Sequence, residues 1–208
     1  ETTLVTAAKP GWPSAQERVD GRPVVRVDLY NPALQSPEYG GGPTRDRYIP
    51  AVKAGPPEGK PAWTFDAITL IEFPPAVVDG QVVFGVNSGR VFALDADTGK
   101  VLWEDRVKGA IASAPAIAGG KAYITSMDGM LTAYRLADGK RLWQYSTGGS
   151  PIESSPLVHD GKVYFGGRWY RNGEGGGLGW YDPKTQKGGG IAEPFATFQI
   201  AYMTTASD

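Results

Sequence analysis

Residues 93–103 read ALDADTGKVLW, and residues 133–143 read AYRLADGKRLW. The second phrase starts 40 residues after the first, and both end on tryptophan, Trp103 and Trp143. Trp63 lies a further 40 residues upstream. Pro75, Pro115, Pro156 and Pro194 follow the same rhythm, at intervals of 40, 41 and 38. A period near 40 is the mark of a repeat architecture.

Turn chemistry identifies the repeating unit. In the first unit PAVV is followed by Asp79-Gly80, QVVFGV by Asn87-Ser88-Gly89, and RVFALDA by Asp97-Thr98-Gly99, after which comes KVLWEDRV. The second unit places Gly119-Gly120, Met127-Asp128-Gly129 and Ala137-Asp138-Gly139 at the same points, and the third opens with Asp160-Gly161. Asp-Gly and Gly-Gly between apolar runs favour tight hairpins, because these turns need positive φ. Four strands joined by hairpins form an antiparallel meander, and meanders repeated every ~40 residues form the blades of a β-propeller. The expected fold is therefore all-β, with no long amphipathic helix. Asp95, Asp97 and Thr98 accept backbone N–H groups in the turn, and Gly99 and Gly139 supply left-handed residues. Trp103 and Trp143 then lie on outer strands, where their rings fill the wedge between neighbouring blades.

Two textures divide the chain. Residues 1–62 hold ten of the 17 prolines and show no sustained periodicity, so they read as an extended arm. Trp12, Tyr30 and Tyr48 favour its docking on a folded body. Residues 63–208 carry the blades, divided as 63–107, 108–147, 148–190 and a partial unit 191–208. In that last unit PFATFQIAYMTTASD (194–208) aligns with PAIAGGKAYITSMDG (115–129). From Trp63 to Asp208 there are 146 residues, about 3.6 units. The ring is accordingly expected to be incomplete, closed by further blades or by a partner.

Bulk properties exclude several functions. Net charge is −1 without a polybasic run, so no nucleic-acid partner is indicated. No apolar run reaches the length of a spanning helix. Cysteine is absent, which removes disulfides, thiolate nucleophiles and cysteine metal sites. GPPEGK (55–60) is one residue short of a phosphate loop and has Pro61 where a hydroxyl is needed. His159, the sole histidine, abuts a hairpin turn and reads as a surface residue.

The phrase at 93–103 resembles the tryptophan-docking motif of the pyrroloquinoline-quinone-like (PQQ-like) propeller repeats, Ala-x-Asp-x-x-Thr-Gly-Lys-x-x-Trp, at all six fixed positions. The second copy keeps Ala133, Gly139, Lys140 and Trp143, but has Arg135 for Asp and Asp138 for Thr. The third, YDPKTQK (181–187), keeps Asp182, Thr185 and Lys187, with Gln186 for Gly and Gly190 where Trp is due. The family joins quinone-dependent dehydrogenases to non-catalytic propellers such as the outer-membrane β-barrel assembly lipoprotein. The resemblance implies an exported protein, periplasmic or at the cell surface.

Within that family the reading is a non-catalytic binding or scaffold module that takes a protein partner or further blades and holds no cofactor or metal. The alternatives are part of a PQQ- and calcium-dependent alcohol or sugar dehydrogenase, and a propeller subunit of a larger membrane-associated assembly. Glu72 and Glu153 sit at matching places before the innermost strands and are the acidic candidates for a channel ligand. The strongest partner-binding candidate is the third unit's RWYRNGEGGGLGW (168–180). Asp182 lies 17 residues after Phe165 whereas Asp95 lies 11 after Phe84, so the turn gains six. Arg168, Trp169, Tyr170, Arg171, Trp180 and Tyr181 are of the types that dominate binding hot spots.

Overall fold

The computed structural model describes residues 3–7, 15–19, 35–39, 59–168 and 176–195. Fourteen strands are present among them and no helix. β1 (Thr3–Ala7) and β2 (Ala15–Val19) pair antiparallel as a separate ribbon. The other twelve form three four-stranded antiparallel sheets.

The first sheet is β3 (Ala76–Val78), β4 (Gln81–Gly85), β5 (Arg90–Asp95) and β6 (Val101–Arg106). The second is β7 (Ala116–Ala118), β8 (Lys121–Ser126), β9 (Met130–Arg135) and β10 (Arg141–Ser146). The third is β11 (Leu157–His159), β12 (Lys162–Arg168), β13 (Gly176–Asp182) and β14 (Lys187–Phe195). Each sheet is a meander in chain order, and the first strands β3, β7 and β11 contact one another at the inner end. The turn chemistry is as read: Gly80, Gly89, Gly99, Gly120, Gly129, Gly139 and Gly161 all have positive φ.

Tryptophan docking follows one rule at two places. Trp63 Nε1 donates to Ala96 O at 2.8 Å, and Trp103 Nε1 donates to Leu136 O at 2.7 Å. Each ring lies flat on a turn glycine of the next sheet. A Cβ at Gly99 would stand 2.6 Å from Trp63 Cδ2, and one at Gly139 would stand 2.6 Å from Trp103 Cδ2. The glycine is thus needed twice, for its φ of 70° and as the platform of the ring. Behind Trp103, Tyr134 stacks at 5.8 Å in a core shared by sheets one and two.

The third docking departs from the expected equivalence of Trp103 and Trp143. Gln186 holds the glycine position at φ 56°. Trp143 is only half-buried and tilts 49° against Tyr181, 4.8 Å away. Among the described residues its Nε1 makes no hydrogen bond matching those of Trp63 and Trp103.

Two boundaries also move. Gly176–Trp180 is not turn but strand: β13 pairs with β12 from Val163↔Tyr181 to Arg168↔Gly176. The segment between the strands is therefore 169–175. Because β13 is longer, its partner β14 runs on to Phe195, opposite Gly176, to satisfy the added backbone groups. The expected unit boundary at 190/191 falls inside that strand, and Pro194 lies on β14 rather than ahead of a new blade. The rest of the expected fourth unit, 196–208, lies outside the described residues.

Candidate functional site

The inner ends of the sheets are where the chain's separate parts converge. Part of the arm docks there. Ser36 forms an antiparallel bridge with Val77 of β3, with N–H···O distances of 2.8 and 2.7 Å. Pro37 O then accepts from Ile117 N of β7 at 2.7 Å, and Gln35 Oε1 accepts from Asp79 N at 3.1 Å. Residues 35–39 thereby cross from the innermost strand of one sheet to that of the next. They satisfy edge groups that would otherwise need water. Glu38 is buried in this crossing. The expected docking residues Trp12, Tyr30 and Tyr48 lie outside the described residues.

Beneath the crossing, a buried hydroxyl network ties sheet two to sheet three. Ser113 Oγ and Thr125 Oγ1 are 2.7 Å apart, and Thr125 Oγ1 donates to Ser154 O at 3.0 Å. Ser154 Oγ accepts from Gly166 N at 2.6 Å, and Ser155 Oγ accepts from Ala114 N at 2.9 Å. All four residues are buried. Sequence reasoning missed them, since lone hydroxyls in IASAP, KAYITS and IESSP look like ordinary strand and turn residues. The signal available was that these hydroxyls recur immediately around the periodic prolines.

The acidic candidates precede the innermost strands of the first and third sheets. Glu72 is four residues ahead of β3 and exposed; Glu153 is four ahead of β11 and half-buried. Among the described residues no group of three or more His, Cys, Asp or Glu side chains stands close enough to hold a metal ion.

Asp95 has the capping role expected of it. Its Oδ1 accepts from Thr98 N at 2.8 Å and from Thr98 Oγ1 at 2.7 Å. The Thr98 hydroxyl bond, with the backbone N–H, holds its carboxyl below the usual carboxylate range. Where Arg135 replaces this aspartate, an Arg135–Asp138 ion pair at 3.3 Å spans the turn instead.

Of the partner-contact candidates, Trp169, Tyr170 and Arg171 lie outside the described residues, and Arg168 is described as the last residue of β12. Tyr181 is corrected to a structural role: it is 7% exposed, and its ring is held between Trp143 and Tyr145. Trp180 is half-buried, opposite Gly189, with Lys162 Nζ 5.2 Å from its ring centre. By register the position homologous to Trp103 and Trp143 is Gly189 rather than Gly190, because the bulge that precedes each tryptophan in β6 and β10 is missing from β14 there.

A family model described as "Outer membrane protein assembly factor BamB" matches residues 45–188. The chain is 31% identical to 1-butanol dehydrogenase (cytochrome c) of Thauera butanivorans, over 77% of this chain and 27% of that protein. It is 28% identical to outer membrane protein assembly factor BamB of Nitrosomonas eutropha, over 51% of this chain and 26% of the relative. It thus spans about a quarter of the length of these relatives. Quinohemoprotein alcohol dehydrogenase from Comamonas testosteroni superposes with a TM-score of 0.65 over 76% of this chain and 27% of that one, at 24% identity. That likeness supports the propeller fold.

Proposed function

The chain belongs to the PQQ-like β-propeller repeat family, and on that premise we propose that it is a protein-binding propeller module of the cell envelope rather than a quinone redox centre. The observation that carries this reading is the occupancy of the inner ends. The chain's own Gln35–Tyr39 crosses two of the inner strands. Glu72 and Glu153 are not joined there by further metal-binding side chains among the described residues. A relative named as an outer-membrane assembly factor supports protein binding and an envelope location. The contact surface proposed is the 169–175 segment with Arg168, Trp169, Tyr170, Arg171 and the half-buried Trp180. Aromatic and arginine side chains supply most hot-spot energy, and segments that join strands of a folded scaffold commonly carry binding residues.

Replacing 169–175 by Met-Asp-Gly, the turn of the second sheet, tests this. Capture of envelope proteins by cross-linking should fall while the melting temperature barely moves. A large drop in melting temperature with unchanged capture per folded molecule would make the segment structural.

The second reading, part of a quinone-dependent alcohol dehydrogenase, is favoured by the 31% identity to the butanol enzyme. Pyrroloquinoline quinone plus calcium, followed by a dye-linked alcohol assay, decides it. We expect no turnover. Turnover abolished by Glu72→Gln or Glu153→Gln would establish the dehydrogenase reading instead.

A further inference from the structure

The wedge between the second and third sheets contains a cavity of about 360 Å³. Its origin lies in the strand register. One backward-facing position carries Phe92 in the first sheet, Thr132 in the second and Gly179 in the third; these pair with Glu104, Gln144 and Gly190 respectively. Between sheets one and two the position is filled, for Thr132 is fully buried and Gln144 Nε2 donates to its Oγ1 at 3.1 Å. Between sheets two and three both side chains are gone. The same holds one pair further along, where Ser126↔Met130 is replaced by Gly167↔Gly177. A propeller wedge needs filling, because unfilled apolar volume forfeits dispersion contacts. The Phe165 ring covers Gly179 and Pro151 O covers Gly167, so the space is left beside Gly190, where the three atoms nearest an added Cβ all belong to the adjacent strand β13.

Large apolar side chains line the rest of the space. Tyr145 of β10, Ile152 and Phe165 of β12 border it, and the Tyr145 and Phe165 rings stand 5.9 Å apart. A flat glycine backbone opposite aromatic and aliphatic side chains forms a slot, and a slot of this volume suits a small ring system. Hydroxyls mark one rim. Thr147 Oγ1 commits its proton to Ser150 O at 2.7 Å and Gly129 O at 3.0 Å, so it is left as an acceptor. Ser146 Oγ accepts from Gly148 N at 3.1 Å and retains its proton to donate. Among the described residues no carboxylate, ammonium or guanidinium lines the space. A charged ligand would lose hydration there without compensation.

We propose that this cleft between the second and third sheets is a binding site for a small, neutral, planar aromatic molecule bearing a hydroxyl group. The ring lies on the Gly189–Gly190 backbone, and the hydroxyl donates to Thr147 and accepts from Ser146. Gly167 and Gly177, which line the cleft, stand next to the ends of the protein-contact segment proposed above.

The test uses 2-naphthol with the full chain, followed by calorimetry and by methyl NMR. The expected result is saturable one-to-one binding with shifts concentrated on the Ile152 methyls. Gly190→Gln restores the side chain that Gln144 provides at the matching register. Its Cβ would lie 3.0 Å from Leu178 O, a contact that small adjustment relieves. This variant should weaken binding by at least about tenfold, and so should replacing the probe by anionic 2-naphthoate. The proposal is overturned if 2-naphthol fails to saturate the protein, or if the shifts fall elsewhere. Equal affinity for folded Gly190→Gln or for naphthoate would overturn it too. The methyl map and the naphthoate comparison need no variant, so they stand even if Gly190→Gln does not fold.

Discussion

Gly139→Ala separates two demands that the docking phrase places on one residue. Gly139 has φ 70° and Gly120 has φ 69°, so alanine meets the same backbone strain at both. That strain is about 1–2 kcal/mol for a left-handed residue. Around Gly120 nothing lies within 4 Å of an added Cβ, whereas at Gly139 the Trp103 ring lies at 2.6 Å. The ring must lift. Doing so stretches the 2.7 Å bond from Trp103 Nε1 to Leu136 O, whose loss costs about 1 kcal/mol. It also disturbs the stack on Tyr134, worth about a further 0.5–1.5 kcal/mol. Gly120→Ala should therefore cost about 1–2 kcal/mol and Gly139→Ala about 3–4 kcal/mol. Urea denaturation of the two variants measures the difference. In a Trp103→Ala background the excess at Gly139 should vanish, since the clash has gone. Equal costs at Gly120 and Gly139 within about 0.5 kcal/mol would refute the platform reading.

The third docking predicts the opposite change. Gln186→Gly should stabilise the chain by about 1 kcal/mol by relieving the positive φ, as measured by urea denaturation. Ser154→Ala should destabilise by about 1–3 kcal/mol, because Gly166 N–H is left buried without its 2.6 Å acceptor; urea denaturation reads this directly. Arg141 clamps Asp105 across the first two sheets, with Nε to Oδ2 at 2.5 Å and Nη2 to Oδ1 at 3.1 Å. Partial burial pushes the Asp105 carboxyl up, but the Arg141 bonds, the Arg106 N–H and the Arg141 charge outweigh it and hold it below the usual range. A depressed carboxyl contributes stability above its unfolded pKa of about 4, lost as pH falls through the lower folded value. Asp105→Asn should therefore flatten stability against pH only below about pH 4. The effect should stay below about 1 kcal/mol, because the Arg141 side chain is 41% exposed.

Which parts of this molecule the chain discloses depends on the distance over which each feature is encoded. The hairpins are local: Asp79-Gly80 or Asp160-Gly161 specifies a turn from its own φ requirement, and the positive φ values follow. The blade repeat is also legible, because large residues recur at fixed spacing. The docking is half legible. The phrase names Trp103, but its acceptor, Leu136 O, is 33 residues away and contributes only a backbone carbonyl. Segment 35–39 is illegible for the same reason, since its contacts to Val77 and Ile117 use main-chain atoms that every residue possesses. The third sheet shows what composition hides. Glycine has no side chain to alternate, so Gly176–Gly179 read as turn, although their backbone groups are paired strand. The cavity is the extreme case. It is written as a side chain that is missing, and it becomes visible only when Gly190 is set in register against Gln144. A period-40 repeat makes that comparison possible, because each blade states what should fill the wedge of the next. The third blade departs from its siblings where glycine replaces filling residues, and a repeat that surrenders packing at one interface alone marks that interface as the place to look for a ligand.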